Sequence, residues 1–180
     1  MNNSPALLPL QCLKCQSALP AGVDEVAWVC PTCGQALILD DGQPSGLSLL
    51  TIQYGAGIPS GGRGRPFWVA QGTVVLQRET YSGNQSQQAS EFWQSARIFM
   101  VPAYACGLDD LIGQGMQLIN QPPSLGVGQP APFLPVTLAA EDLRPMAEFI
   151  VMGIEAARRD DLKALKIQLN LGPAALWVLA

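Results

Sequence analysis

Cys12-Leu-Lys-Cys15-Gln-Ser-Ala-Leu-Pro-Ala-Gly-Val-Asp-Glu-Val-Ala-Trp-Val-Cys30-Pro-Thr-Cys33-Gly34 decides the reading of the N-terminal fold. It holds four of the five cysteines, as two Cys-x-x-Cys pairs with fourteen residues between them. A Cys-x-x-Cys turn presents two sulfurs to one ion. Two such turns, brought together by a short hairpin, complete a tetrahedral thiolate shell at about 2.3 Å. Residues 26–29 read as a strand running into Cys30, and residues 36–39 as the strand that returns. Cys12, Cys15, Cys30 and Cys33 are therefore the expected metal ligands. Such a small unit has almost no core of its own, so the ion is expected to supply its folding free energy.

The second pair, Cys30-Pro-Thr-Cys33-Gly34, closely resembles the CPxCG knuckle of the zinc-ribbon family, whose knuckles are rubredoxin-like. The first pair departs from that form, with Gln16 where the family pattern has glycine. The resemblance covers residues 11–39 and implies a zinc ribbon with Zn2+ as its cofactor. It names no activity, because ribbons of this kind occur in transcription, translation and replication proteins and as structural clips elsewhere. Iron in a rubredoxin-type electron carrier and a pair of redox disulfides are the competing readings of the same thiols.

The totals bound the rest. The chain has 180 residues, 48% of them hydrophobic and 13% charged, which indicates a folded core. Its formal net charge is −4. A nucleic-acid-binding surface needs a basic face to neutralise phosphates, so the acidic balance disfavours that partner class. The chain has no histidine, which removes Ser-His-Asp and Cys-His catalysis. No secretory signal and no membrane span is read, and cytoplasmic residence with reduced thiols is expected.

From residue 47 onward the pattern predicts an α+β body. The expected fold class is α+β: a small N-terminal zinc ribbon over 1–40, then an antiparallel sheet with two helices over 47–180. Residues 40–46 read as a linker. Residues 47–54 read as one strand, and 67–81 as a long strand with Gly72 marking a bulge. Residues 82–90 read as a polar connection to a strand at 96–101, and 108–120 as a helix. Residues 121–135 form a proline-rich extended stretch. Leu143, Met146, Ala147, Ile150, Val151 and Ile154 recur at helical spacing, with Pro145 discordant. Residues 165–171 and 175–179 read as a C-terminal β-hairpin turned by Gly172-Pro173.

No catalytic set emerges from the remaining residues. Cys106 reads as a buried apolar thiol. The glycine-rich stretch 55–65 lacks the Gly-Lys-Ser/Thr of a phosphate loop and reads as a surface loop, flexible or docking on a partner. The carboxylate pairs Asp109/Asp110, Glu141/Asp142 and Asp160/Asp161 read as helix starts and a turn. Trp28, Trp68, Trp93 and Trp177 read as core or interface anchors. The expected function is a non-catalytic zinc-binding accessory or adaptor protein that engages protein partners. The alternatives are a nucleic-acid-associated ribbon protein and an enzyme with an unrecognised site.

Overall fold

Arg65–Ser82 (β5) organises the body. Its 18 residues are too many for one neighbour, and its two halves take different partners. Past Ala70 the side chains alternate in exposure. Gln71, Thr73, Val75, Gln77 and Glu79 face outward, while Gly72, Val74, Leu76 and Arg78 face the core. That period of two is the signature of a half-buried strand. The structure is a computed structural model and describes residues 9–180, so residues 1–8 of the expected ribbon unit lie outside it.

The other elements follow in chain order: β1 (Ala27–Val29), β2 (Ala36–Leu39), β3 (Leu47–Leu50) and β4 (Ile52–Tyr54) precede β5. After it come α1 (Ser86–Trp93), β6 (Arg97–Pro102), α2 (Leu108–Asn120), a 3-10 turn (Ala140–Asp142), α3 (Leu143–Ala156), β7 (Asp161–Leu171) and β8 (Ala175–Leu179). β1, β2 and β3 make a three-stranded antiparallel sheet at the cysteine end. The second sheet has the order β4-β8-β5-β6, with β7 also paired to β5. The fold class is α+β, as the sequence indicates. Two details differ: the described residues form three α-helices, and the β4–β8 pair is parallel.

α2 and α3 cover one face of the larger sheet. There Trp68, Phe99, Val101, Ile150, Val151 and Leu176 form the main core. Each such side chain stabilises the fold by about 1.5–3 kcal/mol on burial. A smaller cluster on the opposite face joins Phe67, Val69 and Met100 to Tyr104, Leu125 and Trp177. Pro145 sits in the first turn of α3, where its missing N–H has no helical acceptor to lose, so it starts the helix without a break.

Five local expectations are corrected. Residues 40–46 are the turn of a β2–β3 hairpin, closed by Leu39 opposite Leu47 and by an Asp40 N–H bond to the Gly46 carbonyl at 3.0 Å. The strand expected over 47–54 is two strands in different sheets, separated by Thr51 alone. The polar connection 82–90 contains most of α1, because Ala89 and Trp93 give it an apolar face to bury. The C-terminal hairpin is also absent: β7 and β8 run antiparallel to β5 in one lane, end to end. Residues 172–174 oppose only Ala70 and Gln71, so this break is a bulge in one lane rather than a reversal. Gly72 itself is not bulged. A Cβ there would lie 2.6 Å from Leu171 Cδ2, so the glycine marks a close approach of strands.

Candidate metal centre

The two knuckles are built alike. The Gln16 N–H donates to the Cys12 carbonyl at 2.8 Å and the Gly34 N–H to the Cys30 carbonyl at 2.9 Å. The Cys12 N–H donates to the Ser17 carbonyl at 2.9 Å and the Cys30 N–H to the Gln35 carbonyl at 2.8 Å. Each turn closes on a residue in the left-handed region, Gln16 at φ 60° and Gly34 at φ 73°. The missing glycine of the first knuckle is thus met by a glutamine that adopts the glycine's conformation.

These turns bring the four expected ligands together. Cys12 Sγ lies 3.6 Å from Cys33 Sγ, and Cys15 Sγ lies 3.5 Å from Cys30 Sγ. All four sulfurs lie within 4.8 Å of one another. Sulfurs at about 2.3 Å from a shared ion sit about 3.8 Å apart in a tetrahedron, so the set fits a four-thiolate metal site. Cys12 and Cys30 are buried and Cys15 and Cys33 half-buried. Leu19, Trp28, Leu37 and Leu47 pack around the first two. Leu47 belongs to β3, so the third strand completes the sulfur cluster's apolar wall.

The thiols differ in acidity. The Ser17 hydroxyl and amide pull Cys15 down to about 6. At Cys33 the Gln35 amide works downward, but burial and the neighbouring thiols outweigh it and push the group up to about 12. A cation held by the four sulfurs requires each of them to give up its proton, so metal binding by this set is pH-dependent.

The site is tied to the body. The Val26 N–H donates to the Val136 carbonyl at 2.8 Å, and Ala27 pairs with Val136. Val136 is fully buried in the main core, as is Ala27.

A second polar cluster escaped the sequence reading. Glu155, at 0% exposure, lies within the core. Trp93 Nε1 donates to its Oε1 at 2.8 Å, and Arg158 Nε donates to its Oε2 at 2.9 Å. Arg78 Nε approaches the same Oε2 at 2.8 Å, off the line of a hydrogen bond, as an ionic contact. Arg78 also grips Asp160 with two bonds, at 3.0 and 2.9 Å. The Gln85 N–H donates to Asp160 Oδ2 at 2.9 Å. The guanidinium holds the Asp160 carboxyl below its usual range. Two arginines and two carboxylates thus neutralise one another beneath Trp93. Asp160 belongs to this cluster rather than to a plain turn. The signal was available: Glu155 falls four residues after Val151, on the apolar stripe of α3.

Other expectations are settled individually. Cys106 is exposed, because the turn before α2 carries it at the surface, where the sequence reading buried it. Asp109 and Asp110 stand in the first turn of α2, and Glu141 and Asp142 in the 3-10 turn. Trp28, Trp68 and Trp93 are core residues. The glycine-rich and proline-rich stretches dock on each other: Gly55 pairs with Val127 and Gly64 with Phe133. Arg63 Nη2 donates to the Phe133 carbonyl at 3.0 Å. Among the described residues no helix is long and apolar enough to cross a membrane.

Compared with protein-family models, with curated proteins and with solved structures, the chain matches none.

Proposed function

We propose that this chain is a zinc-stabilised, non-catalytic accessory or adaptor protein of the cytoplasm that works by binding protein partners. The observation that carries the reading is the closed sulfur set: four thiols within 4.8 Å of one another, all from the chain itself. A catalytic zinc keeps one position open for water or substrate, whereas a structural site fills all of them with protein ligands. The buried Arg78–Glu155–Asp160–Arg158 cluster supports the same reading, since its charges are spent on each other. Zinc is preferred over iron by the resemblance of Cys30–Gly34 to the ribbon knuckle. Reduced thiols suit the cytoplasm.

Native mass spectrometry of the purified chain tests the metal: one zinc per chain is expected, lost in Cys12→Ser. A red, iron-loaded chain would overturn the zinc assignment. Affinity capture from the native host tests the role, and a stoichiometric protein partner is expected. Turnover that survives stringent purification and vanishes on mutation of a body residue would overturn the non-catalytic reading.

A further inference from the structure

β5 leaves part of one edge without a strand. The Gly172 N–H donates to the Gln71 carbonyl, so Gln71 faces the lane of β7 and β8. The Ala103 N–H donates to the Pro66 carbonyl, so Pro66 faces the lane of β6. Backbone groups alternate sides along a strand, which turns Val74, Leu76 and Arg78 toward the lane of β6. Leu169 confirms the phase: it stands opposite Val74, and its carbonyl turns away to accept from Arg144 Nη1 at 2.6 Å.

β6 pairs only as far as Arg97 opposite Gly72, beyond which its lane holds no strand. Among the described residues no backbone bond reaches Val74, Leu76 or Arg78 from that side. α1 runs along this edge without closing on it. Between them lies a groove of about 410 Å³, with Thr73, Val74 and Leu76 on the strand side and Ser86, Ser90 and Trp93 on the helix side.

The far edge of the sheet differs. β7 carries Asp161, Lys163 and Lys166, and Arg144 caps its Leu169 carbonyl. Charges of this kind keep strand edges from pairing. The β5 edge has none from Thr73 to Gln77.

We infer that the groove between the β5 edge and α1 binds an extended, uncharged segment of a protein partner, which pairs with Val74–Arg78 as an added strand. Unpaired backbone groups two residues apart repeat at about 6.6 Å, the period of extended backbone. Five residues on each side span the edge. The segment carries no charge inward, because Arg78 is the one ionisable residue lining the groove and Asp160 and Glu155 already engage it. Hydroxyls of Thr73, Ser86 and Ser90 suit small polar or β-branched side chains. This deepens the reading of the chain as an interaction protein and fails separately from it.

The probe is a displayed library of random linear peptides, panned on the full zinc-loaded chain. Enriched peptides are expected to share an uncharged, β-prone core of about five residues. A synthetic copy should lose at least about tenfold in affinity, or about 1.4 kcal/mol, on Ser90→Trp, which fills the groove from an exposed position. Alternate N-methylation of the peptide should abolish binding. Hydrogen exchange gives a second readout without mutation: the amides of Val74, Leu76 and Arg78 exchange fast in the free chain and slow in the complex, while Val75 and Gln77 stay protected in both. An empty selection, peptides indifferent to Ser90→Trp, or slow exchange at Val74 and Leu76 in the free chain would each overturn the proposal. So would a dimer that Ser90→Trp dissolves, since the occupant would then be a second copy. A host partner captured equally by the Ser90→Trp chain sinks the groove and leaves the interaction reading standing.

Discussion

Gln16 and Gly34 hold equivalent places in the two cysteine knuckles, each donating its N–H to the carbonyl of the first cysteine of its pair. Only one of them is glycine. A side chain in the left-handed region costs roughly 1–2 kcal/mol, offset in part by the smaller entropy that a non-glycine residue loses on folding. Gln16→Gly is expected to raise the stability of the metal-loaded chain by up to about 1 kcal/mol. Gly34→Ala should lower it by about 1–2 kcal/mol. Thermal melts of both variants at saturating zinc measure the difference.

Removing the ion should loosen β1–β3 first. The apolar wall of that sheet is a few side chains around Cys12 and Cys30, too few to hold it alone. With chelator present, hydrogen exchange is expected to rise across residues 12–50 and to stay slow at Phe99–Val101 in the main core. Acidification should act in the same direction, since protons compete with the metal for each thiolate. Zinc release is followed with a colorimetric chelator as the pH is lowered.

Glu155→Ala leaves Arg78 without one partner and Arg158 without its ion pair. Truncating one member of a buried, hydrogen-bonded ion cluster costs about 3–5 kcal/mol. Trp93→Phe removes one charged hydrogen bond, at 2.8 Å, and should cost about 1.5–3 kcal/mol. Urea melts report both.

Asp160 gives the cluster a pH dependence of known sign. Its folded-state carboxyl is held low, chiefly by the two bonds from Arg78. Its contribution is therefore complete above the ordinary aspartate value of about 4 and is lost as the pH falls through the lowered folded value. Asp160→Asn should flatten the stability profile in that acid range and leave its slope near neutrality unchanged. Urea midpoints measured across the range test this.

α2 and α3 cross at a glycine. A Cβ on Gly115 would lie 2.6 Å from Ile150 Cγ1, and Ile150 is fully buried. Alanine is the better helix former by about 1 kcal/mol, yet overpacking costs about 1–3 kcal/mol. Gly115→Ala is therefore expected to destabilise the chain. A rise in its urea midpoint would show that the crossing yields.

Patterns with a short reach were readable in the sequence. The Cys-x-x-Cys spacing singled out the four thiols that the fold gathers, the helical period of residues 143–154 placed α3, and the period of two at residues 165–171 placed β7. What escaped depends on partners far along the chain. Nothing local in Gly172-Pro173 distinguishes a hairpin turn from a bulge between collinear strands; β5 decides it, by pairing with both neighbours on one side. Leu47–Tyr54 looked like one strand because no single residue signals that Thr51 parts two sheets. The ion cluster was legible only at Glu155, which falls on the apolar stripe of α3; nothing local joins it to Arg78, 77 residues earlier, or to Asp160.

The pairing of Gly72 with Leu171 also bears on the order in which the molecule assembles. During synthesis residues 12–50 emerge before the strands of the larger sheet, and the bonds that close the two knuckles are short in sequence, so the four thiols can gather before the link to Val136 forms. β5 then waits for β7 and β8, made about a hundred residues later, and until they arrive its backbone on that side has no strand to pair with. The nascent chain thus passes through a stage with closed cysteine knuckles and an open sheet edge, the stage at which a chaperone, or aggregation, has most to act on.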